Sequence, residues 1–246
     1  MTPAALRVTD LTAGYGHAPA LHGISLRVEA GELVALLGAN GAGKTTTMLT
    51  IAGELTPMSG QIEVFGKPAS GQRPYQLARL GVALVPENRG IFPQLTVAEN
   101  LRLRLYGGKP AVTDEVLDHF PALRPLTGRK AGLLSGGEQQ MLGLGCALVA
   151  NPKLLLIDEL SHGLAPVVLD RLLPVLRDIA ADRQLAVLLV EQHVAAALSV
   201  ADRAYVLSRG RVVTAGSAAE LGAQAAVLEA SYLGGLAPPA GPPGSD

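Results

Sequence analysis

Three stretches near the start of the chain alternate apolar and polar positions: LRVTDLTAGY from Leu6, GISLRVEAG from Gly23 and GQIEVFG from Gly60. A period of two is the mark of a strand with one wet face, and the glycines between the stretches supply turns. They predict an N-terminal antiparallel β unit. From Glu32 the texture changes. ELVALLG is a continuous apolar run, as expected of a strand buried on both faces, and GVALVP, KLLLID and LAVLLVE repeat it further on. Such runs predict a mainly parallel sheet with helices on its faces. KTTTMLTIAGEL, PVVLDRLLPVLRDIAAD and HVAAALSVAD read as those helices. The second is expected to be distorted at Pro174, because a mid-helix proline removes a hydrogen bond. AYVLSRGRVVTAG reads as a hairpin turning at Arg209–Gly210.

The stretch Pro93–Arg129 lacks any buried-strand run. Thr96 and Glu99 form a capping box at the start of TVAENLRLRLY, and TDEVLDHF is a further helical piece. A helical insertion between two core strands is the expectation, extending over about 93–150 once the helix beginning near Ser135 is included. No internal repeat is visible.

Composition narrows the class. The 246 residues are 48% hydrophobic, enough for one sizeable core, and residues 1–236 read as a single α/β domain. The Pro/Gly-rich end, 237–246, reads as a disordered tail. A net charge of −1 gives no basic excess of the kind a nucleic-acid surface shows. Cys146 is the only cysteine and the five histidines have no zinc-like spacing, so the expectation is a reduced, cytosolic protein without a metal cluster. MTPAALRVTD has neither a basic start nor a long apolar core, and no apolar run is long enough to span a bilayer.

Two glycine-rich segments carry the chemistry. Gly38, Gly43, Lys44 and Thr45 satisfy G-x-x-x-x-G-K-[ST], between a buried strand and a helix. In such a P-loop the backbone N–H groups from Gly38 through Asn40, Gly41, Ala42 and Gly43 to Thr46 curl around phosphate oxygens. Lys44 supplies a point charge to the β- and γ-phosphates, and the Thr45 hydroxyl can ligate Mg2+. Asp158 ends an apolar strand, which puts it beside the loop as a metal-holding carboxylate. Glu159 is the candidate for polarising an attacking water. His193 follows another buried strand and is either a phosphate sensor or a surface residue capping the next helix. The second segment is LSGGEQQMLGLG. Ser135 is a natural N-cap and Glu138 completes a capping box, while Gly136 and Gly137 leave the helix start bare for an anion.

Together these motifs resemble the ATP-binding subunits of ABC (ATP-binding cassette) transporters, over about Leu6 to Leu233. LSGGEQQ looks like that family's signature. The resemblance implies an ABC ATPase fold, with a P-loop NTPase core, binding ATP and Mg2+. It also implies a dimer in which each signature (Ser135, Gly136, Gly137, Glu138) caps the ATP on the opposite chain's Lys44 loop. By the same resemblance Tyr15 stacks on adenine, His193 senses the γ-phosphate, and SHGLAP at Ser161–Pro166 is the loop that crosses the dimer interface. Glu87 stands where most members have Gln. Its carboxylate makes it a candidate metal ligand, direct or otherwise. Cys146 replaces a common Arg, and Leu160 a common Pro.

VPENRGIFPQLTVAENL, GLAP and VEQ are similar to the branched-chain amino acid importers and their urea and amide relatives. That implies an ATPase peripheral to the cytoplasmic face of the inner membrane. Its partners would be a second ABC ATPase chain (identical or a sister), transmembrane permease subunits and, through them, a substrate-binding protein, with no nucleic acid. Catalysis would rest on Glu159, His193 and Lys44, and metal binding on Thr45, Glu87 and Asp158. The competing reading is a soluble ABC ATPase clamping nucleic acid or ribosomes. It lacks support from the near-neutral charge and from any long coiled-coil insertion. A nucleotide-binding module without hydrolysis would need an acid missing where Glu159 stands.

Overall fold

The apolar runs and the alternating stretches segregate into two different sheets. A computed structural model describes residues 3–103, 111–228 and 230. The alternating stretches become β1 (Leu6–Tyr15), β2 (Ala18–Val28), β4 (Ser59–Val64) and the short β5 (Lys67–Pro68), paired antiparallel in the order β2-β1-β4-β5. β2 starts five residues earlier than its alternation suggests. Tyr15 pairs with Ala18 and Gly14 with Pro19 in a tight hairpin, so the strand begins at the turn itself.

The continuous runs become β3 (Leu33–Leu37), β6 (Val82–Val85), β7 (Leu154–Asp158) and β8 (Ala186–Glu191). With β9 (Arg203–Ser208) and β10 (Arg211–Ser217) they form a six-stranded sheet, order β10-β9-β3-β8-β7-β6, in which only the β9–β10 hairpin is antiparallel. Their uniform apolarity follows from this position. In β7, Leu154 and Leu156 pack toward the antiparallel sheet, while Leu155 and Ile157 pack into the helical side. In β3, Val34 and Leu36 take the first side. Ala35 and Leu37 face α7 (Val194–Leu198) and α8 (Ala218–Gly222).

On the helical side lie α3 (Val97–Leu103), α4 (Ala111–His119), α5 (Gly136–Val149) and α6 (Pro166–Asp182), with short 3-10 turns at Pro121–Leu126 and Ala131–Leu133. The insertion is thus helical among the described residues. The end of TVAENLRLRLY and the 237–246 tail lie outside them. α6 runs unbroken through Pro174 instead of ending or restarting there. Pro174 and Asp170 both lie on its exposed face, where water can take the freed carbonyl. Three short helices carry no strong sequence signal: α2 (Pro74–Arg79), α8 and α9 (Ala225–Leu228).

The sheet's carboxyl edge positions the chemistry. Asp158 sits level with Val190, and Glu191 level with Leu37. β3, β6, β7 and β8 therefore deliver their following loops to one rim, as ligand sites in open parallel sheets require. The base of β3 is pinned from below. Asp202 accepts the Leu33 N–H at 2.9 Å and a paired contact from Arg177 on α6. Burial works to raise this carboxyl, but the Arg177 and Leu33 hydrogen bonds outweigh it and hold it below the usual carboxylate range.

Candidate functional site

The loop after β3 is shaped by its glycines. Gly43 has φ +108, and a Cβ there would stand 2.6 Å from Leu21 Cδ2 on β2. No other residue could hold this turn while letting the hairpin pack so closely. α1 (Lys44–Ile51) starts immediately after, with no side-chain cap. Its first-turn N–H groups are thus open to an anion. Lys44 is only 4% exposed, and its Nζ donates to Ala39 O at 3.1 Å. Thr45 and Asn40 are exposed, whereas Thr46 is buried and its carbonyl accepts the Thr50 hydroxyl. Tyr15, 56% exposed, stands at the end of β1 on the hairpin whose second strand touches Gly43.

Two acids close the other side of this loop. Asp158 is 5% exposed, and its Oδ1 is buried without a hydrogen-bond partner. Burial, with Glu159 beside it, pushes the Asp158 carboxyl up to about 6, against the opposing pull of a hydrogen bond from Thr45. Glu159 adopts φ +52, a left-handed conformation that costs a non-glycine residue roughly 1–2 kcal/mol. This turn brings its Oε1 to 3.5 Å from Lys44 Nζ and 2.8 Å from the donating Gln192 Nε2. Glu87 arrives from the loop after β6. Its carboxylate lies 3.2 Å from His162 Nδ1, and single ligand atoms of Glu87, Glu159 and His162 fall within 4.8 Å of one another.

The second glycine segment opens α5. The Ser135 N–H donates to Glu138 Oε2 at 2.7 Å, and the Glu138 N–H reaches Ser135 Oγ at 3.4 Å, completing the expected capping box. The first-turn N–H groups of Gly136 and Gly137 still lack helical partners by position. They face a shallow cavity of about 380 Å³ shared with Gly163, Leu164 and Val168. None of the residues Gly38–Thr46 lines it.

The fold therefore gathers Lys44, Thr45, Asp158, Glu159 and Glu87 at one rim. Ser135–Glu138 open instead onto a cavity that none of these residues lines. His193 is the N-cap residue of α7 without a capping hydrogen bond. It is exposed, lining a cavity with Ser161, Leu164 and Asp170, and among the described residues no hydrogen bond or ion pair joins it to Lys44 or Glu159.

Residues that motif reading passed over hold the rim together. Arg89, at φ +67, donates to Gln139 and Gln140 of α5 and to the His162 carbonyl. A Cβ on Gly143 would come within 2.9 Å of the Arg89 carbonyl oxygen, which explains a glycine in mid-helix. Gln192 holds Glu159, and Glu191 holds Ser161. The only sequence signals were a charged or amide residue directly after an apolar run (Glu191, Gln192) and an arginine between Asn and Gly (Arg89), neither specific.

A parallel sheet with a glycine loop over its carboxyl rim, a buried lysine in that loop and paired acids at the end of β7, one strand removed, define a P-loop nucleotide-binding protein. A glycine-rich, capped helix start opening onto a cavity that the phosphate loop does not line narrows the class. The ABC transporter family profile matches residues 21–162. The high-affinity branched-chain amino acid transport ATP-binding protein BraG of Pseudomonas aeruginosa is 42% identical over 90% of this chain and 96% of its own. The probable branched-chain amino acid transport ATP-binding protein LivF of Archaeoglobus fulgidus is 41% identical over 88% and 93%. Among solved structures, the ADP conformation of an ATP-binding cassette of an ABC transporter superposes with a TM-score of 0.80 at 25% identity, covering 93% of this chain and 98% of the other. The chain belongs to the ABC transporter family, and it is an ATP-binding, ATP-hydrolysing subunit of that family. Among the described residues no helix is long and apolar enough to cross a membrane.

Proposed function

We propose that the chain powers import of branched-chain amino acids or related small amides, on the cytoplasmic face of the cell membrane. It acts as one of two ABC ATPase chains bound to transmembrane permeases that a substrate-binding protein supplies. The cargo reading rests on what BraG and LivF are named for. Those names favour transport over a soluble clamp. The observation that carries the mechanism is that the cavity at the Ser135 helix start is lined by none of the phosphate-loop residues Gly38–Thr46. One chain then supplies half of each of two pockets.

ATP enters at the Lys44 loop, with the adenine against Tyr15. Its phosphates compete with Glu159 for the Lys44 ammonium, now 3.5 Å from Oε1. Binding thereby frees the carboxylate to take the proton of the attacking water. The partner's Ser135–Gly137 helix start covers the γ-phosphate, and His193 meets it from the end of β8. Mg2+ suits Thr45 and Asp158, since the orphaned, buried Oδ1 is a hard oxygen donor without another partner. Bound there, the ion would neutralise charge growing on the β- and γ-phosphate oxygens. Glu87, at the mouth of the same rim, answers to metal or water through His162. Hydrolysis and phosphate release remove the charge that both walls hold, and the pair opens.

The permease docks at the groove between α2, β6 and α5, a cavity of about 320 Å³ lined by Leu77, Leu84, Arg89, Cys146 and Ala150 among others. Cys146, small where the family commonly has Arg, widens that wall. Isolating the complex from membranes through a tag on this chain tests the reading. Co-purifying permeases and ATP-dependent uptake of labelled leucine or isoleucine support it. A chain that comes out only with nucleic acid or ribosomes contradicts it.

A further inference from the structure

The end of β8 reaches across to the turn after β7 with four hydrogen bonds. The Val190 carbonyl accepts the Glu159 N–H at 3.1 Å. The Gln192 side-chain amide donates to Glu159 Oε1 at 2.8 Å. The Glu191 carboxylate accepts both the Ser161 N–H, at 2.8 Å, and the Ser161 hydroxyl, at 2.6 Å. Glu191 is wholly buried and makes no ion pair among the described residues; its remaining contact is the Gln192 N–H at 3.3 Å. A carboxylate kept out of water in this way is retained only where its hydrogen bonds fix something. What they fix is a turn under backbone strain, for Glu159 sits at φ +52 and persists there only if its surroundings over-determine it.

The two bonds at Glu159 are not interchangeable. Gln192 and Lys44 both address Oε1, while Oε2 lies toward His162 at 3.9 Å. When phosphate takes Lys44 away, Gln192 is the contact that keeps Oε1 in place and Oε2 turned outward. The geometry points to Gln192 and Glu191 as positioning residues of the hydrolysis site: Gln192 selects the Glu159 oxygen that meets water, and Glu191 locks the Glu159–His162 turn through Ser161. This rests on the reading of Glu159 as the base. It also gives the loop between Glu159 and Pro166, which the proposed function sets against the partner chain, a link to the strand that ends two residues before His193. Strand ends and interface loop then move as one body.

Gln192→Met keeps the length of the side chain and removes the donor. In the full-length protein, kcat falls about 10- to 100-fold, the cost of a misplaced reacting group. KM for ATP, binding of a non-hydrolysable ATP analogue and Tm stay at wild-type values. Glu191→Ala lowers kcat further than Glu191→Gln, because the amide still offers an oxygen to one Ser161 group. A wild-type kcat in Gln192→Met overturns the proposal. So does a kcat loss matched by equal losses of analogue affinity and Tm, which would mark general loosening. Glu159→Gln, measured alongside, separates the two layers. If it is inactive while Gln192→Met is normal, the positioning role alone fails. If Glu159→Gln hydrolyses ATP normally, the assignment of the base fails and the positioning role with it.

Discussion

At the Lys44 rim every partner comes from within the chain: a 4% exposed lysine, a carboxylate 3.5 Å away and an amide 2.8 Å behind that. At the Ser135 face the internal partners run out after the capping box, and a glycine-rich helix start meets a shallow surface cavity. The first region is constructed to do chemistry on a bound phosphate. On the proposed reading, the second is completed by a partner chain. In that reading, an ATPase with both on one chain, the second left incomplete, is switched by bringing two chains together. ATP becomes a ligand with a large differential affinity for the closed pair.

Breaking the rim has the largest effect. Glu159→Gln removes the proton acceptor and lowers turnover by about 10²–10⁴-fold while ATP still binds. Closed dimers then accumulate, visible by size-exclusion chromatography in ATP; an unchanged steady-state rate would move the base elsewhere. Breaking the outward face comes next. Ser135→Arg fills the helix start, lowering hydrolysis by about 10²–10³-fold, the scale of a lost phosphate-facing donor. Equilibrium binding of a fluorescent ATP analogue at Lys44 stays intact. Loss of that binding would mean the two regions are one.

Uncoupling the regions is a smaller step. Arg89→Met cuts the hydrogen bonds to Gln139, Gln140 and the His162 carbonyl. It costs about 1–3 kcal/mol, read as roughly a 2–12 °C fall in Tm. Scanning calorimetry checks it, and an unchanged Tm would show the strut to be slack.

The smallest effect sharpens the electrostatics of the rim. The Asp158 carboxyl lies at about 6 in the fold against 3.8 for the free group, so the folded state binds the proton more tightly. Stability is therefore lost as pH rises from about 4 through 6, and the cost of the buried charge is complete above that. Without nucleotide or metal, Asp158→Asn melts a few degrees above wild type at pH 7.5, and the difference closes near pH 4. A difference constant with pH would contradict burial as the cause.

Much of this was legible in the sequence because double burial and phosphate binding both leave local marks. LVALL, LLLID and AVLLVE could be read as core strands since both faces of each are covered. The P-loop, the paired acids and the Ser135–Glu138 box declared themselves by spacing. Arg89, His162, Glu191 and Gln192 did not, since each acts through partners 30 or more residues away in sequence. Those contacts exist only once the strand order β8-β7-β6 is set. α2, α8 and α9 were missed because helices of four to six residues show little periodicity; α7, equally short, was read only as part of the longer stretch HVAAALSVAD. At Pro174 the helix continues because the carbonyl freed by the proline lies on a wet face.

The central claim is that each working pocket is shared between two chains, and a mixing experiment tests it most directly. Lys44→Ala and Ser135→Arg are each inactive alone, one lacking the phosphate loop and the other the helix start. Mixed in equal amounts, half of the pairs combine one chain of each kind, and each such pair has one intact pocket. The account predicts ATP hydrolysis restored to roughly a quarter of the wild-type rate. A mixture no more active than the two variants measured separately would contradict it.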